Sequence, residues 1–525
     1  MKTDTTVEDR KVPATAGPAS APAAGRLVAG RLAVLRGLLD RPLASYYLLL
    51  ASVGLLLIFG LVMVFSATSV ENYKESGSAY TSVSKQALWA VVGLVAFWVC
   101  QRLPMRTYRA VSRVAVIGCL VLVALTDVLA FLTALNTPPG SEWVPVYVGP
   151  LYAEDLWLYI GGFQLQPSEM SKLGLVLWSA DVLARKGTKI VNWRELITPL
   201  FPVALLLFGL VGYGDFGSMT CLFVLFLGVL WAAGVRKRIF ALLFGGAAVG
   251  MTVLITTASY RAERLTVFLD PEHADRTRGA YQFFQGLYAI ANGGWFGVGL
   301  GKSELKWGWL PNGHNDSIFA VVGEELGVVG CVVLLALFGV LAYTGLRIAS
   351  RVEHPFRRLV AAGITCWLVG QSVINIGGVI GVMPMTGVPL PFISAGGTAL
   401  VVALAAAGIL TSFARAEPDA ARALHARPPR RWVQLVWAPL PPLPRGGNRR
   451  RAGSTGARGQ SAGSPGSRGQ SAGSTGARGQ GAGSPGSRGQ SAGSPGSRGQ
   501  RAGASGRAGA RADVGGRANG SGRNR

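Results

Sequence analysis

From about residue 45 to residue 415 the chain alternates long apolar runs with short polar connections. A bilayer core takes roughly 20 apolar residues of helix. On that measure the pattern predicts spans near 46–66, 86–101, 113–133, 168–184, 198–213, 217–234, 239–257, 318–346, 359–381 and 393–414. The second, fourth and fifth are short. The expected fold class is an all-α polytopic membrane protein of about ten transmembrane helices. Residues 1–44 are polar and Ala/Pro-rich and have no apolar h-region, so they read as a disordered cytoplasmic extension and not as a signal peptide. Residues 416–525 are rich in Arg, Gly, Ser and Pro and repeat a ten-residue unit such as GSPGSRGQSA, which reads as a flexible low-complexity tail.

Lys and Arg placement sets the expected orientation. Arg102, Arg106, Arg109 and Arg113 follow the second span, and Arg185, Lys186, Lys189 and Arg194 follow the fourth. Arg236, Lys237 and Arg238 follow the sixth, and Arg347, Arg351, Arg357 and Arg358 follow the eighth. The connections 134–167 and 382–392 hold no Lys or Arg. Both termini are therefore expected inside and the odd-numbered connections outside. The outer connection 258–317 departs from this pattern, with Arg261, Arg264, Arg276, Arg278, Lys302 and Lys306 beside Tyr281, Trp295, Trp307 and Trp309. That composition predicts a large extracytoplasmic loop, folded against the membrane, before the eighth span.

Charge adds little about the membrane core. The stretch from Arg415 onward holds 20 Arg and 3 acids, so +17 of the net +25 belongs to the tail. The high pI is a tail property, and no nucleic-acid partner is expected. The tail Arg residues could sit near anionic lipid headgroups or have no specific role. The five Cys lie in apolar runs without CxxC spacing and the four His form no HExxH pattern, so neither a disulfide framework nor a metal site is expected.

Several constellations carry chemistry. Arg261 and Arg264 share a face if their segment is helical, and guanidinium pairs suit phosphate; contact with lipid headgroups or a salt bridge to Glu263 or Asp270 is the alternative. Asp316, in His314-Asn315-Asp316, stands where the chain re-enters the bilayer. It reads either as a helix N-cap or as a shielded carboxylate that takes a proton from a sugar hydroxyl. Glu324 and Glu325 lie within an apolar helix, and Asp215 interrupts two apolar runs; intramembrane acids of this kind are functional or paired. Pro384 to Thr398 is too rich in Pro and Gly for a continuous helix, and such backbone must be buried in protein or line a wet cavity.

Taken in order, the motifs resemble the SEDS family of cell-wall polymerases, the FtsW and RodA group. They are Phe59 to Ser69, Gln166-Pro167-Ser168-Glu169 with Lys172, Asp215-Phe216-Gly217, Tyr260 to Arg264, Gly279 to Gln282, Gly299 to Gly301, His314 to Asp316, Gly323 to Gly327, Asn375 to Gly377 and Pro384 to Thr398. The resemblance covers residues 46–414, and the Ser394-Ala-Gly-Gly-Thr398 ending leans toward the divisional, FtsW-like branch. It implies a peptidoglycan glycosyltransferase that polymerises lipid II into β-1,4 glycan on the outer face of a bacterial cytoplasmic membrane, at the septum if divisional. It also implies a class B penicillin-binding protein as partner, with other divisome proteins reached through the tail. Asp316 matches the family's required acid and is the expected catalytic residue. Arg261, Arg264, Lys172, Glu169, Gln282, His314, Glu324 and Ser394 are the expected substrate-binding set. No protein-bound metal or cofactor is required, although a divalent cation (Mg or Mn) at the pyrophosphate is compatible with the chemistry. The chain departs from the family at Leu156, Gly286, Asn312, Gly313 and Ser317. A lipid-linked precursor transporter, built on Asp215, Glu324 and Glu325 in broken helices, and a degenerate scaffold remain as competing readings, and an elongation role remains open beside division.

Overall fold

The computed structural model describes residues 37–443 apart from 38, 139–143, 188–192, 258, 272, 275–278, 305, 306, 308 and 312, and apart from the side chains of 75, 76, 254–257, 259–261, 263 and 279. The repeats of the tail and nearly all of the N-terminal extension lie outside the described residues. The helices are α1 (Ala44–Ser76), α2 (Thr81–Arg102), α3 (Met105–Asn136), α4 (Pro167–Lys186), α5 (Trp193–Ile197), α6 (Leu200–Gly214), α7 (Phe216–Ala232) and α8 (Lys237–Thr257). They continue with α9 (Ser259–Leu269), α10 (Gly279–Gly293), α11 (Ile318–Arg351), α12 (Pro355–Val379), α13 (Gly397–Arg415), α14 (Pro418–Ala426) and α15 (Arg431–Val436).

A helix lies on each expected span. Among the described residues, six helices are long and apolar enough to cross a membrane: α1 (over Ala44–Lys74), α2, α3, α11, α12 and α13. The chain is a mostly helical, multi-pass membrane protein. The fourth expected span, α4, is different in kind. It carries Glu169, Lys172 and Asp181, all buried, and packs against α3, α7 and α12, so protein and not lipid surrounds its charges. Small residues let helices approach closely: a Cβ at Gly408 of α13 would lie 2.4 Å from the Phe97 carbonyl oxygen of α2.

Two expectations need correction. The fold is not purely helical, because Leu151–Glu154 (β1), Trp157–Ile160 (β2) and Phe163–Leu165 (β3) form an antiparallel sheet in the order β1-β2-β3. Gly161 and Gly162, both at positive φ, make the β2–β3 turn, a strong hairpin signal between alternating residues. Buried Ala153 and Leu158 pack with Leu129, fastening the sheet to α3. The second correction concerns the tail, which is structured past residue 416. Residues 418–443 carry α14 and α15 and bind back to the bundle. The Trp437 indole donates to the Tyr46 hydroxyl at 2.6 Å, the Trp98 indole to the Val436 carbonyl at 2.6 Å, and Arg415 to the Ala438 carbonyl at 3.3 Å. Composition hid these contacts, because they join residues far apart in the chain.

The expected large loop before the eighth span is folded, with α9 and α10 in it. Its end is built into α11. Gly327, at φ 66° and ψ −164°, breaks that helix, a conformation glycine alone adopts readily. The freed backbone groups pair with the loop: Val298 N–H donates to the Glu324 carbonyl at 3.0 Å and Val328 N–H to the Gly294 carbonyl at 2.9 Å.

Candidate active site

Residues 384–396 of the Pro384–Thr398 segment run through the bundle without regular structure, and buried side chains hold their backbone. Gln371 donates to the Pro389 carbonyl at 2.7 Å, and Asn375 donates to the Val388 carbonyl at 2.7 Å. Ser394 Oγ accepts from Leu390 N–H and donates to the Asn315 carbonyl, each at 2.7 Å. The Ala395 N–H donates to the His314 carbonyl at 2.9 Å. The segment and the His314–Asp316 turn are thereby one unit. Ser394 serves as a tie within it, and His314 contributes its backbone to the same tie.

Asp316 lies at the centre of this unit. The residue at the head of α11 is Ser317, and no side chain caps that helix, so the N-cap reading of Asp316 is overturned. Gln282 instead donates to Ser317 Oγ at 3.0 Å, and Asn375 donates to the Asp316 backbone carbonyl at 2.8 Å. The Asp316 carboxylate is left with a buried Oδ1 that has no hydrogen-bond partner among the described residues. Desolvation pushes its pKa up to about 6; Arg264 opposes the rise and Asp215 adds to it.

Gly387, at φ 74°, lies between the two charged groups. A Cβ there would lie 3.3 Å from Arg264 Nη1 and 3.4 Å from Asp316 Oδ2. Arg264 also donates to the Met385 carbonyl at 3.5 Å. One cavity, lined by Asp316, Asn375, Thr386, Gly387 and Met385, adjoins a second lined by Arg264, Phe283, Met383 and Met385. Asp215 stands behind, capping α7 through a 2.8 Å bond from Ser218 N–H and accepting from Ser168 Oγ at 3.2 Å.

The other expected site residues divide. The Arg261 side chain lies outside the described residues. Lys172 and Glu169 do not line the Asp316 cavity. They form a fully buried pair at 2.6 Å, and Lys172 also bonds Gln371 at 3.0 Å. Through Gln371 they connect to the Pro389 carbonyl. Glu324 is likewise away from the site. It accepts from the Ser303 hydroxyl and from Glu304 N–H at 3.2 Å, because the break at Gly327 draws the 294–304 loop against α11. Glu325 accepts from Ser66 at 2.5 Å. Asn375 and Thr386 do line the cavity and were not assigned to the site from sequence. The available signals were an amide within an apolar helix and a hydroxyl beside a glycine in the re-entrant segment.

This arrangement joins a shielded carboxylate suited to accept a proton, a guanidinium suited to an anion, and an apolar surround that strengthens both. Among the described residues no group of three or more His, Cys, Asp or Glu could hold a metal ion.

Comparison with known proteins matches residues 46–418 to the cell cycle protein family of FtsW, RodA and SpoVE. A Mycobacterium tuberculosis protein named "Probable peptidoglycan glycosyltransferase FtsW" is 39% identical over 404 residues, covering 77% of this chain and 74% of its own length. The stage V sporulation protein E of Bacillus subtilis is 34% identical over 363 residues, 69% of this chain and 94% of its own. A solved structure described as "Structural coordination of polymerization and crosslinking by a peptidoglycan synthase complex" aligns with TM-score 0.55 and 26% identity, over 70% of this chain and 96% of the other.

Proposed function

The chain belongs to the FtsW/RodA/SpoVE family of cell cycle proteins, and from that premise we propose that it is a peptidoglycan glycosyltransferase that polymerises lipid II into β-1,4 glycan. The observation that carries the mechanism is the buried, unpartnered Asp316 Oδ1 in a cavity beside Arg264. Asp316 acts as general base. It takes the proton of the lipid II 4-hydroxyl as that oxygen bonds to the anomeric carbon of the growing strand. The bond from that carbon to the undecaprenyl pyrophosphate breaks, and one displacement inverts the α-linked donor to a β product. Arg264 stabilises the departing pyrophosphate, and Arg261 is assigned the same role from the sequence.

In this reading the chain crosses the membrane ten times. The Lys- and Arg-rich connections and both termini lie in the cytoplasm, and Asp316 faces outward. A class B penicillin-binding protein is the partner that crosslinks the strands, in keeping with the complex named for the aligned structure. Resemblance to FtsW-named relatives favours division over elongation and a septal location, with other divisome proteins reached through the tail. The transporter reading loses its footing, because Glu324 and Glu325 hold the 294–304 loop and α1 to α11.

The test is purified full-length protein with lipid II and its penicillin-binding partner. Glycan polymer from the wild type and about 10²-fold less, or lower still, from Asp316→Asn is expected. Translocation of lipid II across liposomes without any polymer would overturn the proposal.

A further inference from the structure

Asn375 makes two hydrogen bonds, and both come from its nitrogen: Nδ2 donates to the Asp316 carbonyl at 2.8 Å and to the Val388 carbonyl at 2.7 Å. Reversing the amide would set oxygen against oxygen twice, so its orientation is fixed. Both amide protons are consumed. Oδ1 is left buried with no hydrogen-bond partner among the described residues, and the same holds for Thr386 Oγ1 and Asp316 Oδ1. All three residues line one cavity whose other walls are Gly378, Val379, Met385, Gly387 and Val388. Buried polar atoms are seldom left unpaired, and leaving them so is costly.

Two of the three atoms only accept when Asp316 is ionised; the third is a hydroxyl that accepts or donates. The cavity therefore asks for a ligand that brings protons and has little negative charge. A sugar hydroxyl fits this description, and a phosphate does not. Arg264 lies outside this cavity and lines its neighbour, so anion recognition and hydroxyl recognition are spatially separated.

We propose that Asn375 Oδ1 and Thr386 Oγ1 bind a second hydroxyl of the acceptor sugar and so aim the attacking hydroxyl at Asp316. This rests on the glycosyltransferase reading above and adds a binding role for two residues beside the base. Holding a neighbouring hydroxyl fixes the rotation of the ring, which is how a binding contact becomes an orientation effect. Asn375 is the poorer probe, since removing its amide also releases two backbone carbonyls. Thr386 is the better one.

The experiment is a cycle of wild type and Thr386→Val against lipid II and analogues deoxygenated next to the 4-hydroxyl, with polymerisation measured as a function of substrate concentration. Thr386→Val is expected to lower the maximal polymerisation rate about tenfold, the effect of one lost hydrogen bond felt as misorientation, and to change the half-saturating lipid II concentration less. Thr386→Ser is expected to restore wild-type behaviour. One deoxy analogue should lose about as much with the wild type and nothing further with Thr386→Val. Its melting temperature should match or exceed that of the wild type, because the hydroxyl it loses has no partner among the described residues. Wild-type kinetics in Thr386→Val, or losses that multiply for every analogue, would overturn the inference. Failure of the wild type itself to form polymer would instead reject the glycosyltransferase reading.

Discussion

Arg264 and Asp316 meet at a single glycine. Their Nη1 and Oδ2 atoms lie 3.3 and 3.4 Å from the point where a Cβ of Gly387 would stand. Arg264 belongs to α9, in the loop before α11, and Gly387 to the re-entrant segment after α12. Three separate parts of the chain thus converge on one point.

Asp316→Asn should lower the polymerisation rate by about 10²–10⁴, the usual contribution of a positioned base. The wild-type rate should rise with pH through an acid limb near 6, because the base works only when deprotonated and its pKa is raised to about 6. The native state then binds this proton more tightly than the unfolded chain, so its contribution to stability falls as pH rises from about 4 to about 6. Asp316→Asn should therefore melt higher than the wild type at pH 7, and a melt series in detergent across pH checks the sign.

Arg264→Gln should move that acid limb upward. Arg264 lowers the pKa of Asp316, so its removal leaves less ionised base at neutral pH. A pH–rate profile separates this from a simple loss of phosphate binding, which would leave the limb in place.

Gly387→Ala should cut activity and stability together. The residue sits at φ 74° and its Cβ would press on both Arg264 and Asp316; a left-handed non-glycine residue costs on the order of 1 kcal/mol or more. Gly339→Ala in α11, where a Cβ meets nothing within 4 Å, is the control and should be neutral or slightly stabilising. Paired melting curves and polymerisation assays test the contrast.

Lys172→Met should be severely destabilising, by about 3–5 kcal/mol, because Glu169 is left charged and unpaired in the interior. Lys172→Met with Glu169→Leu should recover much of that loss. Yield and melting temperature in detergent read both outcomes.

Truncation after residue 416 should destabilise the bundle, and truncation after residue 443 should not. The first removes the Trp437–Tyr46 and Trp98–Val436 bonds, and the second keeps them. Melting of the two truncated proteins beside the full chain decides it.

Hydropathy alone determined the helical segments, since a run of about 20 apolar residues has few other stable fates. The motif order was enough to single out Asp316 and Arg264. Local pattern could not place the intramembrane acids. Glu169, Glu324 and Glu325 look alike as charges in apolar runs, yet their partners Lys172, Ser303 and Ser66 give each a holding role. The strands at 151–165 were legible in the Gly161-Gly162 turn but were overshadowed by the helical surroundings. Whether Asp316 caps a helix or waits with a free oxygen depended on where Asn375, Thr386 and Gly387 come to rest. Only tertiary structure decides that, because burial and hydrogen-bond partnership are set by residues that are distant in sequence.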